Sequence, residues 1–405
     1  MDLTDNAPIQ IVDCTLREGE QTAGVWFTVE EKLALVDALA QAGVRWLDAG
    51  MPAVSADERT FLRAATGRTE ALIGASVRAM VEECQLAIDC GCDEIFVICP
   101  VSPLHRTQRL GMDEDAMRRR IEAVVQTIVR SGRTCNMVAE DASRTDPIEL
   151  RQLLDTALNA GADRLFLCDT VGQWTPSGAK EAFEVLSAEL GDVPLGVHCH
   201  NDFGMATANT IAAIEGGCTW PTTTVNGVGE RAGNASLLEV AAACDRLMDR
   251  PTPLQLDALT AVSKQVEHLT GFLVSQHQPL VGWNAFRHES GIHIDGLIKD
   301  ATTYEGVAPD LLGREHRYVV GKHSGTALLR RFAQSHDWPH DDDTLGAVLD
   351  LIKSRRPDWV RESFVRLRQH IDRYNETCLG VPETHLGAFF DDALGRKKAG
   401  EKSSG

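Results

Sequence analysis

The stretch Ile9–Gly43, "IQIVDCTLREGEQTAGVWFTVEEKLALVDALAQAG", sets a short apolar run against a longer amphipathic segment. The run "IQIVDC" (9–14) suits a strand buried on both faces, and Thr28 with Glu31 form a capping-box pattern that opens a helix over 28–43. Between them lies "TLREGEQ", a polar turn without the GxGxxG fingerprint that a doubly wound nucleotide-binding sheet carries after its first strand.

The same alternation continues along the chain. Apolar runs fall at 45–50, 71–77, 94–100, 134–140, 164–170, 193–200 and 222–227, each followed by a segment of helical periodicity. Several of those segments close in Ala-Gly or Gly-Gly, as a helix C-cap favours. Near-continuous apolar strands separated by helices imply a parallel sheet covered on both faces. Eight strand–helix units predict an α/β fold, a (β/α)8 TIM barrel over residues 1–265, rather than an open sheet. Residues 266–385 read as a linker and small, mostly helical C-terminal subdomains, and 386–405 as a disordered tail ending "GRKKAGEKSSG".

Composition narrows the partners. The chain has 405 residues, 43% hydrophobic and 24% charged, and a formal net charge of −19. That charge argues against nucleic acid or an anionic membrane as partner, and an anionic substrate must be met by local arginines. No apolar run approaches a bilayer span, and "MDLTDNAPIQ" lacks the regions of a signal peptide. Eleven cysteines without paired CxxC motifs, several inside strand-like runs, read as buried thiols in a reducing cytoplasm.

A TIM barrel works at the C-terminal ends of its strands. The polar residues there are Asp13, Arg17 and Glu18, then Asp48, Glu140, Asp141, Asp169 and Thr170. His198, His200, Asn201 and Asp202 follow strand seven; Asn226, Glu230, Arg231 and Asn234 follow strand eight. In "HCHND" (198–202) the two histidines stand at i and i+2 of a strand, on one face. They make either half of a metal site or two hydrogen-bonded side chains at a strand end. With Glu18 as third ligand and Asn234 as weak fourth, the set would hold Mg, Mn or Zn with positions left open for a chelating oxygen substrate, such as a 2-oxo acid. Arg17 would pair with a carboxylate or polarise a carbonyl rather than be a solvated loop cation. "NGVGERAGN" (226–234) is either a flexible loop or a flap that brings Arg231 to an anionic ligand.

The segments "DCTLREGEQTAGVWFT", "AEDASRTDP", "CDTVG", "HCHNDFGMATANT", "TTTVNGVGERAGNASLLEV" and "HESGIHIDGLIKDATTYEGVAPDLLGREHRYVVGKHSG" together resemble the homocitrate synthase and isopropylmalate synthase family of barrel metallolyases. The likeness is greatest to the nitrogenase-associated bacterial homocitrate synthases. The resemblance implies a cytoplasmic acyltransferase that condenses acetyl-CoA with a 2-oxo acid, 2-oxoglutarate first, and then hydrolyses the thioester. Phosphonopyruvate, oxaloacetate and 2-oxoisovalerate are the alternative acceptors. It implies Glu18, His198 and His200 as metal ligands with Asn234 as a weak one. Arg17 and Glu140 become catalytic, and Gln21, Thr170 and Arg231 become substrate-binding. His293 and Tyr304, otherwise a linker histidine and a packed surface tyrosine, become a catalytic pair reaching the partner's active site in a homodimer.

The chain departs from the lysine-pathway members, whose strand five carries an arginine and a serine for the distal carboxylate of 2-oxoglutarate. Asn136 and Val138 stand there instead, leaving Arg78, His105, Arg106, Arg109 or Arg144 to read a distal anion. An acyl-CoA lyase is the rival, but its relatives carry a cysteine in the glycine-rich loop, and "NGVGERAGN" has none. No biotin carrier is visible for a carboxyl transferase. A metal-binding scaffold without catalysis would not need the full residue set.

Overall fold

The computed structural model describes residues 8–354, 358–377, 379–381, 386–390 and 392–393. Residues 386–390 and 392–393 of the expected tail are helical, and 394–405 lie outside the described residues.

Eight parallel strands close a barrel in sequence order: β1 (Val12–Asp13), β2 (Trp46–Asp48), β3 (Leu72–Arg78), β4 (Glu94–Pro100), β5 (Thr134–Glu140), β6 (Arg164–Asp169), β7 (Leu195–Cys199) and β8 (Trp220–Thr223). The helices between and after them are α1 (Val29–Gln41), α2 (Ala56–Ala65), α3 (Val81–Asp89), α4 (Glu114–Arg130), α5 (Pro147–Ala160), α6 (Pro176–Leu190), α7 (Ala206–Glu215) and α8 (Leu237–Leu247). The capping box at Thr28 and Glu31 forms as expected. α5 has its own signals: the Asp146 side chain caps it, Pro147 opens it, and Gly161 ends it at φ 102°.

β8 is displaced from the expected 222–227. It begins at Trp220 and ends at Thr223, because Asn226 and Gly227 take left-handed conformations (φ 59° and 69°) that a strand cannot continue through. β1 is cut short for a related reason: the amides of Arg17 and Glu18 turn back onto the Cys14 carbonyl.

Alternate residues of each strand fill the barrel. Phe96 of β4 and Phe166 of β6 meet edge-on across it, centroids 5.5 Å apart. They fit because Gly74 and Gly196 face them: a Cβ at either position would lie within 2.5 Å of a ring carbon. Trp46 and Trp220 pack edge-on beneath, and the Arg164 guanidinium stacks 3.6 Å from the Trp220 ring while pairing with the buried Glu94. The bottom is thus plugged, which leaves the open end above Phe96 and Phe166 for chemistry.

The chain forms two compact units. The barrel unit continues beyond residue 265: it runs through α9 (Leu256–Thr270) to Ala285 and takes in Pro309–Arg314. The second unit holds Ala23–Val25, Phe286–Ala308 and the chain from Glu315 onward. Its parallel pair β9 (Arg287–His288) and β10 (Arg317–Tyr318) is accompanied by α10 (Gly291–Lys299), α11 (Ala327–Ser335), α12 (Asp342–Ser354) and α13 (Asp358–Thr377). Among the described residues no helix is long and apolar enough to cross a membrane. The ten described cysteines are free and buried.

Candidate metal centre and acceptor cavity

The turn after β1 and the end of β7 bring Glu18, His198 and His200 together. All three are buried, each offers a ligand atom within 4.8 Å of the other two, and among the described residues no other trio of His, Cys, Asp or Glu does so. Glu18 Oε1 lies 3.7 Å from His200 Nε2, and Oε2 lies 3.9 Å from His198 Nε2. The two imidazoles stand at i and i+2, rings edge-on with centroids 5.0 Å apart, as the strand alternation predicts.

Charge and tautomer both suit a cation. Burial pushes the His198 imidazole down to about 3 and lowers His200 as well, so both rings are neutral near pH 7. Burial pushes Glu18 up, but the Arg17 guanidinium and the two imidazoles outweigh it and hold the carboxyl at about 2. Thr222 Oγ1 donates to the Val197 carbonyl (3.1 Å) and so accepts from His198 Nδ1 (2.8 Å). That bond puts the ring proton on Nδ1 and leaves the Nε2 lone pair facing Glu18.

Asn234 closes the site. Its Nδ2 lies 3.2 Å from His198 Nε2 and 3.3 Å from the Cys199 carbonyl, and its Oδ1 is buried without a hydrogen-bond partner. An orphaned amide oxygen, two neutral imidazoles and a carboxylate form a donor set that fits a divalent cation. The loop can cross directly above because residue 229 is glycine: a Cβ there would fall 1.8 Å from Asn234 Oδ1. Asn226 anchors that loop, exchanging hydrogen bonds with Ser263 of α9.

Arg17 is fixed from both sides. Its Nε donates to Asp48 Oδ2 at 2.7 Å, which Ser76 Oγ also reaches at 2.9 Å, while Nη1 meets Glu18 and, at 3.4 Å, Gln21 Oε1. Burial alone would lower its pKa; Asp48 and Glu18 more than compensate and keep it cationic. Arg231 is held by both oxygens of Asp202 (2.8 Å each) and by the Thr170 carbonyl. The Thr170 hydroxyl accepts from the Asp141 amide, whose residue sits at φ 67°.

Arg17, Glu18, Gln21, Thr170, His198, His200 and Arg231 line one side of a cavity of about 380 Å³. Phe96, Ile98, Val138, Phe166 and Cys168 make its other wall. Glu140 and Arg109 stand at the rim, paired through two hydrogen bonds (2.9 and 2.5 Å). Of the five cations expected to read a distal anion, only Arg109 lines this cavity. Arg78 is committed to Glu83, Arg106 to Glu149, Arg144 to Asp141, and His105 Nδ1 lies 3.4 Å from Glu140. Asn136 sits deeper in the barrel, bonded to Glu94 and Arg164.

A family model described as HMGL-like matches residues 8–266, and one described as homocitrate synthase post-HMGL domain-like matches 280–357. The chain belongs to the HMGL-like family. Within it the chain falls among the enzymes that condense acetyl-CoA with a 2-oxo acid. A putative (R)-citramalate synthase of Methanopyrus kandleri is 39% identical over 96% of this chain and 73% of its own length. A probable 2-isopropylmalate synthase of Ignicoccus hospitalis is 39% identical over 92% and 94%. Among solved structures, the HMG-CoA lyase of Brucella melitensis superposes with a TM-score of 0.60 at 20% identity, covering 66% of this chain and all of the lyase, a likeness of fold.

Sequence reasoning named the candidate ligands but missed what holds them. Thr222, Ser76 and the role of Asp48 as the seat of Arg17 went unread, as did Lys32, which reaches Glu20 on the Glu18 turn from α1 and Glu58 on α2. His293 and Tyr304 lie in the second unit with rings stacked 4.3 Å apart.

Proposed function

We propose that the chain joins the acetyl group of acetyl-CoA to a 2-oxo acid with a small apolar side chain, pyruvate or 2-oxoisovalerate in size, and hydrolyses the thioester to release CoA. The observation that carries this reading is the two-sided cavity. Its Glu18, His198 and His200 side can present a chelating cation, and its Ile98, Val138 and Cys168 side offers no charge to a distal group. Arg109, the one cation of the expected five in the cavity, is neutralised by Glu140. The names of the relatives in Methanopyrus and Ignicoccus support the same acceptor class. The expected acceptor, 2-oxoglutarate, would place a second carboxylate against this apolar wall, at a desolvation cost of several kcal/mol.

A divalent cation supplies Lewis acidity to the keto group when bound. Arg17, held by Asp48, stabilises the negative charge that grows on the keto oxygen as the new C–C bond forms. Thr170 and Arg231 hold the acceptor's carboxylate, Gln21 orients Arg17, and Glu140 governs proton traffic at the rim. In this reading His293 takes the proton from the acetyl methyl, Tyr304 supports it, and a second copy of a homodimer delivers both. Water then adds to the thioester carbonyl, the C–S bond breaks, and CoA leaves as the thiol.

Free CoA release is measured with acetyl-CoA and a panel of pyruvate, 2-oxobutyrate, 2-oxoisovalerate, 2-oxoglutarate, oxaloacetate and phosphonopyruvate. The monocarboxylic acids give the highest kcat/KM. A preference for 2-oxoglutarate or phosphonopyruvate refutes the acceptor assignment, and CoA chemistry in the cleavage direction alone refutes the reaction.

A further inference from the structure

The second unit contains a hydrogen-bonded line of three side chains. Glu305 Oε2 lies 2.9 Å from His316 Nε2, and His316 Nδ1 lies 3.1 Å from His288 Nε2. A carboxylate only accepts, so His316 carries its proton on Nε2. In the neutral ring its Nδ1 is a bare acceptor, His288 donates from Nε2, and the Nδ1 lone pair of His288 becomes the open end of the line. This is the carboxylate–imidazole logic by which an acid group fixes a ring's tautomer, extended by one ring.

The line ties together the two segments that bear His293 and Tyr304. Glu305 follows Tyr304 directly, and His288 ends β9 three residues before α10, which carries His293. The rings of His293 and Tyr304 stack at 4.3 Å, and Tyr304 lies so close to α10 that a Cβ at Gly296 would meet its ring at 2.7 Å. His316 belongs to neither segment and reaches both. From these contacts we infer that His316 is a positioning residue for the proposed reaction: with Glu305 and His288 it forms a clamp that holds His293 and Tyr304 in register and tolerates one added proton but not two.

The proton count follows from the geometry. One proton taken up at His288 Nδ1 is accommodated by shifting the shared hydrogen onto His316, where the positive charge sits beside Glu305. A second would set two N–H groups against each other across the 3.1 Å contact and open the clamp. The rings around the line are Phe286, Tyr318 and, beside His288, His293. The charged neighbours along the chain are Arg287, Glu289, Glu315 and Arg317. Burial, and then the nearby His316 and His293, push His288 below the usual histidine range, which favours the neutral form of the line near pH 7.

The inference rests on the condensation reading, and its test separates the two. With the full-length protein, divalent metal and the best acceptor of the panel, kcat is followed from pH 5.5 to 9 for wild type, His316→Gln and His316→Leu. Glutamine offers one donor and one acceptor and does not titrate, so it restores turnover at pH 8 and moves the acid limb to lower pH. Leucine breaks both links and lowers kcat on the order of 10²-fold, the scale of an ångström misplacement, with acceptor KM unchanged. An acid limb in His316→Gln identical to wild type, or a wild-type kcat in His316→Leu, overturns the clamp. Should leucine prevent folding, Glu305→Gln takes its place and lowers the acid-limb midpoint, because the carboxylate no longer stabilises the protonated pair; no change there overturns the clamp equally. Nitrogen-15 resonances of labelled histidines give an answer that needs no turnover: at pH 8 both His288 and His316 have a bare Nδ1. If no 2-oxo acid releases CoA, the condensation reading fails, and these resonances still decide whether the clamp exists.

Discussion

The Nδ1 atom of His198 lies 2.8 Å from Thr222 Oγ1, and the hydroxyl spends its own proton on the Val197 carbonyl 3.1 Å away. The tautomer of a buried ligand-type histidine is therefore set by the neighbouring strand. Thr222→Val keeps a β-branched side chain but removes the acceptor, so His198 can place its proton on Nε2, where a cation would sit. Metal affinity, measured by competition with a chromophoric chelator, falls about 10- to 100-fold, the usual cost of losing such an orienting partner. Unchanged affinity would mean that Nε2 is not a ligand atom.

Lys32 is buried, yet its ammonium meets Glu58 at 2.8 Å and Glu20 at 2.6 Å. Glu20 in turn accepts the Phe27 amide, so the lysine pins the turn that presents Glu18 to helices α1 and α2. Lys32→Met leaves Glu58 and Glu20 unpaired and lowers stability by about 3–5 kcal/mol in chemical denaturation. Lys32→Met/Glu58→Gln recovers part of the loss by removing one stranded charge. Equal stability of the single and double variants would show that the cost lies in packing alone.

The barrel was legible because each of its parts leaves a local mark. Strands covered on both faces read as apolar runs, helices read by their period and caps, and His198 and His200 share a face at i and i+2 by the alternation of a strand. The supports of the site leave no such mark. Arg17 to Asp48, Lys32 to Glu58 and His198 to Thr222 join positions 31, 26 and 24 residues apart, and only the register of neighbouring strands and helices brings them together. The apolar wall was half legible: Val138 stands where the resemblance would put a polar residue, but five basic side chains remained candidates until the structure paired Arg78, Arg106 and Arg144 elsewhere and left His105 beside Glu140, outside the cavity lining. β8 was misplaced because the β-branched run 222–225 reads as a strand, while Asn226 and Gly227 turn left-handed.

Arg109 and Glu140 meet through two hydrogen bonds at the rim of the cavity, with Arg109 half exposed. Arg109→Met removes the partner and leaves a carboxylate facing the incoming anionic acceptor. KM for the acceptor rises about tenfold or more, as expected where an ion pair is replaced by an uncompensated like charge. KM for acetyl-CoA stays near wild type. If Arg109 instead served as the seat of a distal carboxylate, the variant would lose dicarboxylic acceptors and gain monocarboxylic ones, an outcome contrary to the apolar reading of the wall.

Asp13 stands at the end of β1, wholly buried, with its two oxygens accepting from the amide and hydroxyl of Thr15. Burial dominates over those bonds and raises its carboxyl from 3.8 to about 7, with Asp48 adding to the rise. The folded state thus holds the proton more tightly than the unfolded chain, so the associated stability is full below pH 4 and is lost as pH climbs to about 7. Asp13→Asn cannot ionise and retains one acceptor for Thr15. Its melting temperature relative to wild type should therefore increase steadily between pH 4.5 and 7.5 and level off above. A difference that stays constant across that interval would show that Asp13 is already ionised in the folded barrel, with the Thr15 bonds outweighing burial.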